Sequence, residues 1–338
     1  MEKWISNTTH LSFSASDRTY LALLKRDVHA IAIQAGFSNK KLAEVDIIVS
    51  EMGSNLVKHG GGGELLVRLL PEQEGLELLC IDDGPGMTDP QLMQIDGTST
   101  TNTLGQGLGA MERLADFYQL YSQKSWGTII LCRFFKKQPV VQKMPLAFSS
   151  IVVPKPGEKL CGDGFYAKLT PQRLKVFIGD GLGHGPEAHH AVTEAINAFK
   201  QSMENSPAEI IRGMHEEVRK TRGLVGTVAI LELATKTWKL CGVGNILSRV
   251  STGSLFKNYL PYNGIIGMNI PNTMKDQEIP PEYGQQMIFC SDGIKTRWDT
   301  LKYPAIHRYD LTILAAAIYK DQARKTDDMS VIVSKINI

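Results

Sequence analysis

The fold of the rear part of this chain is decided by Leu174-Lys-Val-Phe-Ile-Gly-Asp180-Gly-Leu-Gly-His-Gly185, where a carboxylate and a glycine-rich turn follow an apolar run. The apolar run predicts a β-strand that ends near Asp180. Three further segments set an aspartate beside a glycine or next to a strand, namely Gly162-Asp163-Gly164, Ser291-Asp292-Gly293 and Thr326-Asp327-Asp328-Met329. One such aspartate is most simply a turn residue. Four of them at strand ends predict a cluster of carboxylates.

This carboxylate cluster suits hard metal ions. Aspartate oxygens are preferred ligands of magnesium and manganese, and the rear part lacks the paired histidines and cysteines that zinc takes. Two such ions can bridge a water molecule, lower its pKa and hold a phosphoryl group for in-line attack. The rear pattern therefore predicts metal-dependent phosphate hydrolysis.

The front third carries a different phosphate-handling signature. Glu51 and Asn55 lie one turn apart on a predicted helix, and Asp82 follows an apolar strand. Phosphoryl transfer needs a group that accepts the hydroxyl proton and a metal that neutralises phosphate charge. We expect Glu51 to act as the base, Asn55 to hold magnesium and Asp82 to meet the adenine amino group.

Glycines accompany these three residues. Gly84 and Gly86 form a turn after Asp82, while Gly105, Gly107 and Gly109 let the backbone approach phosphates at the start of a helix. A lone motif of this kind is more often a tight turn. Three motifs in this order, each at the edge of a predicted element, favour a nucleotide site.

Composition excludes several other classes of protein. Lys plus Arg number 37 and Asp plus Glu number 35, so no broad positive charge favours a nucleic acid or an anionic membrane as partner. The N-terminus has no signal-like apolar core, and no apolar run is long enough to span a bilayer. The five cysteines show no C-x-x-C spacing and predict buried thiols rather than disulfides. We expect a cytoplasmic protein.

The front motifs resemble the GHKL-type ATPases, specifically the anti-sigma-factor serine/threonine kinases of bacterial partner-switching and stressosome systems. The similarity covers about residues 10–135 and includes Ser50-Glu51, Asn55, His59-Gly60 and the two glycine motifs. The resemblance implies ATP with magnesium as cofactor, and it places Thr98 within an ATP lid at Thr98–Thr103. No histidine-phosphorylation helix is evident, which favours the serine kinase branch.

The rear motifs resemble the SpoIIE-like branch of the PPM-type metal-dependent serine/threonine phosphatases, over about residues 147–338. The resemblance implies two magnesium or manganese ions held by Asp163, Asp180 with the Gly181 carbonyl, Asp292 and Asp327. The motif ends in two aspartates, so Asp328 stays open as the last ligand. Many relatives have a further aspartate where this chain has Tyr166, which puts a third metal ion in doubt.

Together the two resemblances imply an α+β chain of two domains. Residues 1–137 form a Bergerat-type ATPase α/β sandwich, 138–146 a linker, and 147–338 an α-β-β-α phosphatase sandwich. The substrate implied for one or both activities is a small STAS-domain protein, an anti-sigma-factor antagonist, or another small signalling regulator. Two alternatives remain: a phosphatase with a front domain that only senses ATP, and a front domain that sequesters a sigma factor or another regulator.

Overall fold

The computed structural model describes residues 3–5, 8–14, 18–90, 107–139, 146–252, 255–282 and 284–336. The chain forms two compact units. The rear unit comprises Met1–Thr9, Lys143–Pro304 and Ala317–Ile338, and the front unit comprises His10–Gln142 and Ala305–Ala316. The first strand of the chain thus belongs to the rear unit, and the short segment Ala305–Ala316 belongs to the front unit. Residues 140–145 of the expected linker lie outside the described residues.

The helices and strands are numbered here along the chain. The helices are α1 (Arg18–Gln34), α2 (Asn39–Lys58), α3 (Gly107–Leu114), α4 (Pro186–Gln201), α5 (Pro207–Glu217) and α6 (Leu311–Gln322). The strands of the first half are β1 (Lys3–Ile5), β2 (Leu11–Ser14), β3 (Gly63–Leu70), β4 (Gly75–Asp82), β5 (Phe117–Gln123), β6 (Gly127–Phe135), β7 (Leu146–Val153) and β8 (Asp163–Leu169). Those of the second half are β9 (Arg173–Gly181), β10 (Leu224–Glu232), β11 (Thr237–Val243), β12 (Leu247–Thr252), β13 (Leu255–Tyr259), β14 (Gln277–Ile279), β15 (Gln286–Cys290) and β16 (Met329–Ile336).

The front unit packs helices on an antiparallel sheet of order β2-β3-β4-β6-β5. Ser38 caps α2, because its side-chain oxygen accepts a hydrogen bond from the Lys41 amide. Apolar residues at helical spacing form the buried stripe of α2, namely Val45, Ile48, Val49, Met52 and Leu56. They pack in one core with the inner face of the sheet, which includes Leu65, Leu78, Cys80 and Ile130. This packing fixes the helix that carries Glu51 and Asn55.

The front unit also buries a charged group. Glu77 on β4 is fully buried and accepts hydrogen bonds from Nε of Arg68 at 2.8 Å and from Nε of Arg133 at 2.7 Å. Arg133 also makes a two-pronged pair with Asp310, at 2.9 and 3.1 Å. Burial alone would raise the pKa of Glu77, but the charges of Arg68 and Arg133 outweigh burial and hold that pKa well below its usual range.

The rear unit contains two sheets. A six-stranded sheet has the order β1-β8-β9-β10-β11-β14, and a five-stranded sheet has the order β13-β12-β15-β16-β7. One apolar core includes residues of both sheets, such as Phe165, Ile178, Phe289 and Ile332. A second core joins the six-stranded sheet to α4 and α5. The predicted sheet-and-helix architecture of the rear part is therefore confirmed.

Most predicted elements are present, but five strands were missed: β1, β2, β12, β13 and β14. The position of one aspartate needs correction, because Asp163 opens β8 instead of ending a strand. Asp327 precedes the last strand, β16, by two residues, in agreement with the sequence pattern. All five cysteines are buried free thiols, as predicted. Among the described residues, no helix is both long and apolar enough to cross a membrane.

Candidate functional site

Two of the predicted metal ligands are paired by the register of the six-stranded sheet. Asp163 on β8 is the direct partner of Asp180 on β9. Residues that oppose each other in an antiparallel pair point to the same face of the sheet, so both carboxylates project from one face. The two strands stay joined beyond this pair, since the Gly181 amide donates to the Gly162 carbonyl at 3.0 Å.

The other two predicted ligands come from neighbouring strands of the five-stranded sheet. Asp292 follows the end of β15, and Asp327 precedes the start of β16, which pairs with β15 in antiparallel fashion. Ser291 ties these two ends together, because its amide donates to the Ser330 carbonyl and its hydroxyl oxygen accepts from the Ser330 amide at 3.0 Å. The Asp292 carboxylate also accepts a hydrogen bond from the Asn245 side chain at 3.0 Å.

The electrostatics of these aspartates show that they lie within reach of one another. Asp163 is 1% exposed, and neither of its carboxylate oxygens makes a hydrogen bond within the described part of the chain. Burial raises the pKa of Asp163, and the charge of Asp328 adds to the shift. Burial also raises the pKa of Asp180, with further contributions from Asp163, Asp292 and Asp327. Burial, followed by the charge of Asp327, raises the pKa of Asp292.

These residues fit divalent cations by chemistry, although they do not form a finished ligand cage. Across the described ranges, no three His, Cys, Asp or Glu side chains are already arranged as a metal site. The fit rests on the buried carboxylate of Asp163, whose two oxygens have no partner, and on the hard oxygen character of the whole set. A cation would supply the positive charge that the buried Asp163 carboxylate lacks.

Asp327 and Asp328 differ sharply in their surroundings. Asp328 is buried, and its two carboxylate oxygens accept hydrogen bonds from the backbone amides of Lys155 and Gly162, each at 2.8 Å. Asp327 is half-buried, and one of its oxygens accepts from the Asp328 amide at 2.9 Å. Both oxygens of Asp328 are therefore engaged by the backbone, whereas Asp327 keeps one oxygen outside this bond.

Tyr166 occupies the opposite face of β8 from Asp163. Its ring packs edge-on against Phe199 of α4, with ring centroids 6.2 Å apart, and Lys200 lies 4.7 Å from its centroid. Successive side chains of a strand point to opposite faces of the sheet. Tyr166 is three positions after Asp163, so its side chain lies on the other face, in the helix layer. The departure at Tyr166 thus places an aromatic core residue there instead of a carboxylate.

The loop after Asp180 is braced by charged side chains. His184 Nδ1 lies 2.7 Å from a carboxylate oxygen of Glu158. Arg222 donates to the Leu182 carbonyl at 3.0 Å and pairs with Glu187 at 2.9 Å. These contacts hold the segment that carries the Gly181 carbonyl.

In the front unit, Glu51 lies against the start of α3. A Cβ atom added at Gly107 would stand 2.6 Å from Oε2 of Glu51, so the helix begins directly beside the predicted base. Asn55 lies one turn further along α2, near the end of the helix. Its backbone carbonyl accepts hydrogen bonds from the amides of His59 and Gly60. The predicted base and the start of the glycine-rich helix are therefore neighbours.

Asp82 is the last residue of β4. Its Oδ1 accepts hydrogen bonds from the Gly84 amide at 2.8 Å and from the Thr128 amide at 3.2 Å. A Cβ at Gly84 would lie 2.5 Å from the His59 carbonyl, so this turn lies directly against the end of α2. The fold thus brings the turn after Asp82 to the end of the helix that carries Glu51 and Asn55.

The remaining predicted glycines have varied positions. Gly86 has φ of 64°, and Gly109 is buried within α3. Thr98, with the expected lid Thr98–Thr103, and Gly105 lie outside the described residues. A cavity of about 380 Å³ in the front unit contains none of the predicted nucleotide-binding residues; its lining includes Asp89, Glu112, Tyr118 and Tyr309.

Sequence reasoning missed three contributors to these sites. Thr128 supports Asp82 from β6, and its only sequence signal is a Gly-Thr pair at the start of a strand. The amides of Lys155 and Gly162 hold Asp328 from a loop 166 residues or more away along the chain. No local pattern could have identified that long-range contact.

Comparisons with known proteins agree with the division into a front and a rear signature. The family profile described as Histidine kinase-like ATPase domain matches residues 13–134. The profile described as Stage II sporulation protein E (SpoIIE) matches residues 170–337.

Two relatives from Bacillus subtilis (strain 168) each match a different part of the chain. The serine/threonine-protein kinase RsbT is 31% identical over 102 residues, which are 30% of this chain and 77% of RsbT. The phosphoserine phosphatase RsbX is 28% identical over 145 residues, which are 41% of this chain and 70% of RsbX.

Two solved structures share the fold of part of the chain. One, from work on the bacterial stressosome as a modular system adapted to control secondary messenger signalling, is 29% identical with a TM-score of 0.53 and covers 56% of this chain and 100% of its own. The other, RsbX in complex with magnesium, is 19% identical with a TM-score of 0.50 and covers 59% of this chain and 98% of its own.

Proposed function

Because the chain belongs to the histidine kinase-like ATPase family through its front part and to the SpoIIE family through its rear part, we propose that it is a bacterial partner-switching regulator with two opposed activities. The rear domain removes phosphate from serine or threonine of a protein, and the front domain transfers phosphate from ATP to serine or threonine. The observation that carries the proposal is the strand register that pairs Asp163 with Asp180 and leaves the buried Asp163 carboxylate without a hydrogen-bond partner.

In the rear domain, the ligands of two magnesium or manganese ions are Asp163, Asp180 with the Gly181 carbonyl, Asp292 and Asp327. When bound, such ions lower the pKa of a water molecule and neutralise phosphoryl charge. The protein's own contribution is to orient the ligands: strand pairing fixes Asp163 and Asp180, and the Asn245 side chain donates to Asp292. The relationship to RsbX, whose structure contains magnesium, supports metal dependence.

In the front domain, Glu51 accepts the proton of the attacking hydroxyl group, Asn55 holds magnesium with ATP, and Asp82 accepts a hydrogen bond from the adenine amino group. Gly107 lets the start of α3 lie beside Glu51, where the backbone amides of a helix N-terminus favour phosphate oxygens. Among the described residues, Gly84, Gly86 and Gly109 belong to the same proposed nucleotide site. Thr98 and Gly105 are assigned to it from the sequence pattern alone.

The substrate we propose is a STAS-domain anti-sigma-factor antagonist or another small signalling regulator, and the compartment is the cytoplasm. The relatives support this choice, because they include a serine/threonine-protein kinase, RsbT, and a phosphoserine phosphatase, RsbX, from one organism. We propose residues 1–137 and 147–338, joined by 138–146, as the two functional modules, with the exchange that the fold makes: Met1–Thr9 belongs to the rear unit and Ala305–Ala316 to the front unit.

A second candidate role for the front domain is binding of a regulator without turnover. It is favoured by one observation: α1 exposes the apolar side chains of Tyr20, Leu23 and Ile33, each by about half of its surface. Sequestration requires such an apolar face. The two roles separate by experiment, since Glu51→Gln removes the base and leaves this face unchanged.

The deciding experiment is a labelled-ATP assay on candidate STAS-domain proteins with the full chain. The labelled product is then freed of ATP and incubated with manganese and fresh protein. We expect label to enter the substrate only with an intact Glu51 and to leave it only with an intact Asp180. Label that never enters any substrate, together with tight partner binding, would favour the sequestering role instead.

A further inference from the structure

We propose that Asp328 is a positioning residue of the rear site, which clamps the loop before Asp163 through the amides of Lys155 and Gly162 and leaves Asp327 as the metal ligand. The inference rests on the proposed phosphatase function and deepens it, since it assigns different roles to two adjacent aspartates.

The geometry of Asp328 is that of a clamp. Its Oδ1 accepts from the Lys155 amide and its Oδ2 from the Gly162 amide, each at 2.8 Å. The two amides delimit a loop of irregular backbone between β7 and β8, and Gly162 directly precedes Asp163. Charge-assisted hydrogen bonds to backbone amides are among the stronger ones in proteins, so one carboxylate fixes both ends of this loop.

Close packing makes this contact specific. Asp328 is 2% exposed, and a Cβ added at Gly162 would lie 2.8 Å from its Oδ2 and 2.8 Å from the Cβ of Ala188. The carboxylate therefore fills the space next to Gly162, and no side chain fits between them. Asp328 cannot turn toward a cation without unpairing the buried Gly162 amide and the part-buried Lys155 amide, which is costly.

Asp163 gains its position from this clamp. Its own carboxylate oxygens make no hydrogen bond in the described structure, so its position depends on the backbone that carries it. Its backbone is held on one side by pairing with Asp180 and on the other by the Gly162 amide. Groups that orient metal ligands in this way contribute strongly to metal affinity although they do not touch the ion.

The test compares Asp328→Asn with Asp327→Asn in the full chain. An asparagine offers one carbonyl oxygen in place of two carboxylate oxygens, so it accepts from one of the two amides and turns its NH₂ group toward the other. Hydrogen exchange of single amides is measured by NMR or fragmentation mass spectrometry, and affinity for manganese alone is measured by calorimetry without ATP.

For the wild-type chain we expect slow exchange at Lys155 and Gly162 compared with the loop amides of Gly157 and Lys159. Asp328→Asn should accelerate exchange at one or both clamped amides and weaken manganese binding by about 10–100-fold, the usual effect of removing a group that orients a ligand. Asp327→Asn should weaken manganese binding with unchanged exchange at Gly162. Asp116→Asn is the matched control, because Asp116 also accepts a backbone amide, that of Phe135, but in the front unit.

Several outcomes overturn the proposal. In a chain whose wild type is an active phosphatase, unchanged exchange and unchanged manganese affinity in Asp328→Asn would reject the positioning role of Asp328. The phosphatase function would stand. Lost manganese binding with unchanged exchange would make Asp328 itself a ligand. A wild-type chain that neither binds manganese nor hydrolyses phosphoprotein would reject the phosphatase function.

A second variant covers the case in which Asp328→Asn does not fold. Gly162→Ala introduces a methyl group at the clamped position and should loosen the Lys155 amide as well, because it displaces the shared carboxylate. Fast exchange at either clamped amide in the wild-type chain would also overturn the proposal, and this measurement needs no variant.

Discussion

Asp163 and Asp180 are direct partners across the antiparallel strands β8 and β9, so their two carboxylates project from the same face of the sheet. Burial raises the pKa of each, and the neighbouring carboxylates raise it further because they repel the charged form. Such a pair destabilises the metal-free fold. Carboxylates with pKa values raised in this way are typical of functional sites.

We first expect Asp180→Asn to abolish phosphatase activity without loss of the fold. The substitution removes one proposed ligand and also a carboxyl group whose charged form is disfavoured by burial and by the charges of Asp163 and Asp292. Hydrolysis of a phosphoserine protein with manganese should fall to background. In chelator, the thermal midpoint should stay equal or rise, by roughly 2–4 °C for each kcal/mol of repulsion removed.

The control for this prediction is Asp299→Asn in the same unit, whose carboxylate accepts a hydrogen bond from the Leu301 amide. This variant should keep full phosphatase activity. Activity of Asp180→Asn that persists in chelator would show that hydrolysis does not depend on the proposed metal site.

The second prediction concerns the base of the front site. Glu51→Gln should keep ATP binding but lower phosphoryl transfer by roughly 10²–10⁴-fold, because a positioned general base typically contributes this factor. Binding is measured by calorimetry with an ATP analogue, and transfer by labelled ATP. The same variant should retain wild-type phosphatase activity, which serves as its internal control; unchanged transfer would reject Glu51 as the base.

Asp82→Asn supplies the complementary prediction, since it should weaken ATP binding itself. The carboxylate now accepts the amides of Gly84 and Thr128 through one oxygen, and the substitution changes the group proposed to accept from the adenine amino group. We expect ATP affinity to fall by about 10-fold or more, the free energy of a charge-assisted hydrogen bond. GTP binding tested in parallel checks the base specificity: equal loss for both nucleotides would move Asp82 from recognition to a purely structural role.

A fourth prediction follows from the buried pair of Glu77 and Arg133. The folded-state pKa of Glu77 lies well below its value in the unfolded chain, so its stabilising effect is complete above the unfolded pKa of about 4.3 and is lost as the pH falls through the folded pKa. Glu77→Gln should lower the stability of the front unit at pH 7 by about 3–5 kcal/mol, because Arg68 and Arg133 lose the carboxylate that they share. The difference from wild type should shrink as the pH falls below about 4.

Urea unfolding followed through Trp126, which lies in the front unit, measures this effect at each pH. Exposed Glu72→Gln on the same unit is the matched control and should change stability by less than about 0.5 kcal/mol. A loss in Glu77→Gln that is equal at pH 7 and pH 3.5 would contradict the assigned electrostatic origin.

The elements with strong periodic patterns could be predicted from the sequence, and those shaped by distant contacts could not. The stripe of α2 and its Ser38 cap are local signals. The missed strand β12 contains Arg249, which is buried because its guanidinium stacks on the rings of Phe256 and Trp298, 4.3 and 4.1 Å from their centroids. An arginine within a short polar run gives no strand signal until those rings are in place.

The candidate sites show the same division. The residue types and their glycine neighbours were sufficient to nominate Asp163, Asp180 and Asp292, because oxygen ligands at strand edges have a local signature. The choice between Asp327 and Asp328 was not available from sequence, since both are acidic and adjacent. Only the tertiary structure distinguishes them, through the backbone amides that occupy Asp328.

The last prediction is that ATP controls the phosphatase. Two opposed enzymes on one chain would consume ATP without effect if both acted freely on one target. The proposed linker, residues 138–146, is short, so each domain would be present at high local concentration around the other. A nucleotide can alter the phosphatase only if it binds two arrangements of the chain unequally.

We expect a non-hydrolysable ATP analogue with magnesium to change the phosphatase rate on a fixed phosphoprotein by 5-fold or more, about 1 kcal/mol of coupling. The measurement compares the wild-type chain with Asp82→Asn, which should respond only at higher analogue concentrations. Equal rates with and without the analogue, at concentrations that saturate the front site by calorimetry, would make the two domains independent.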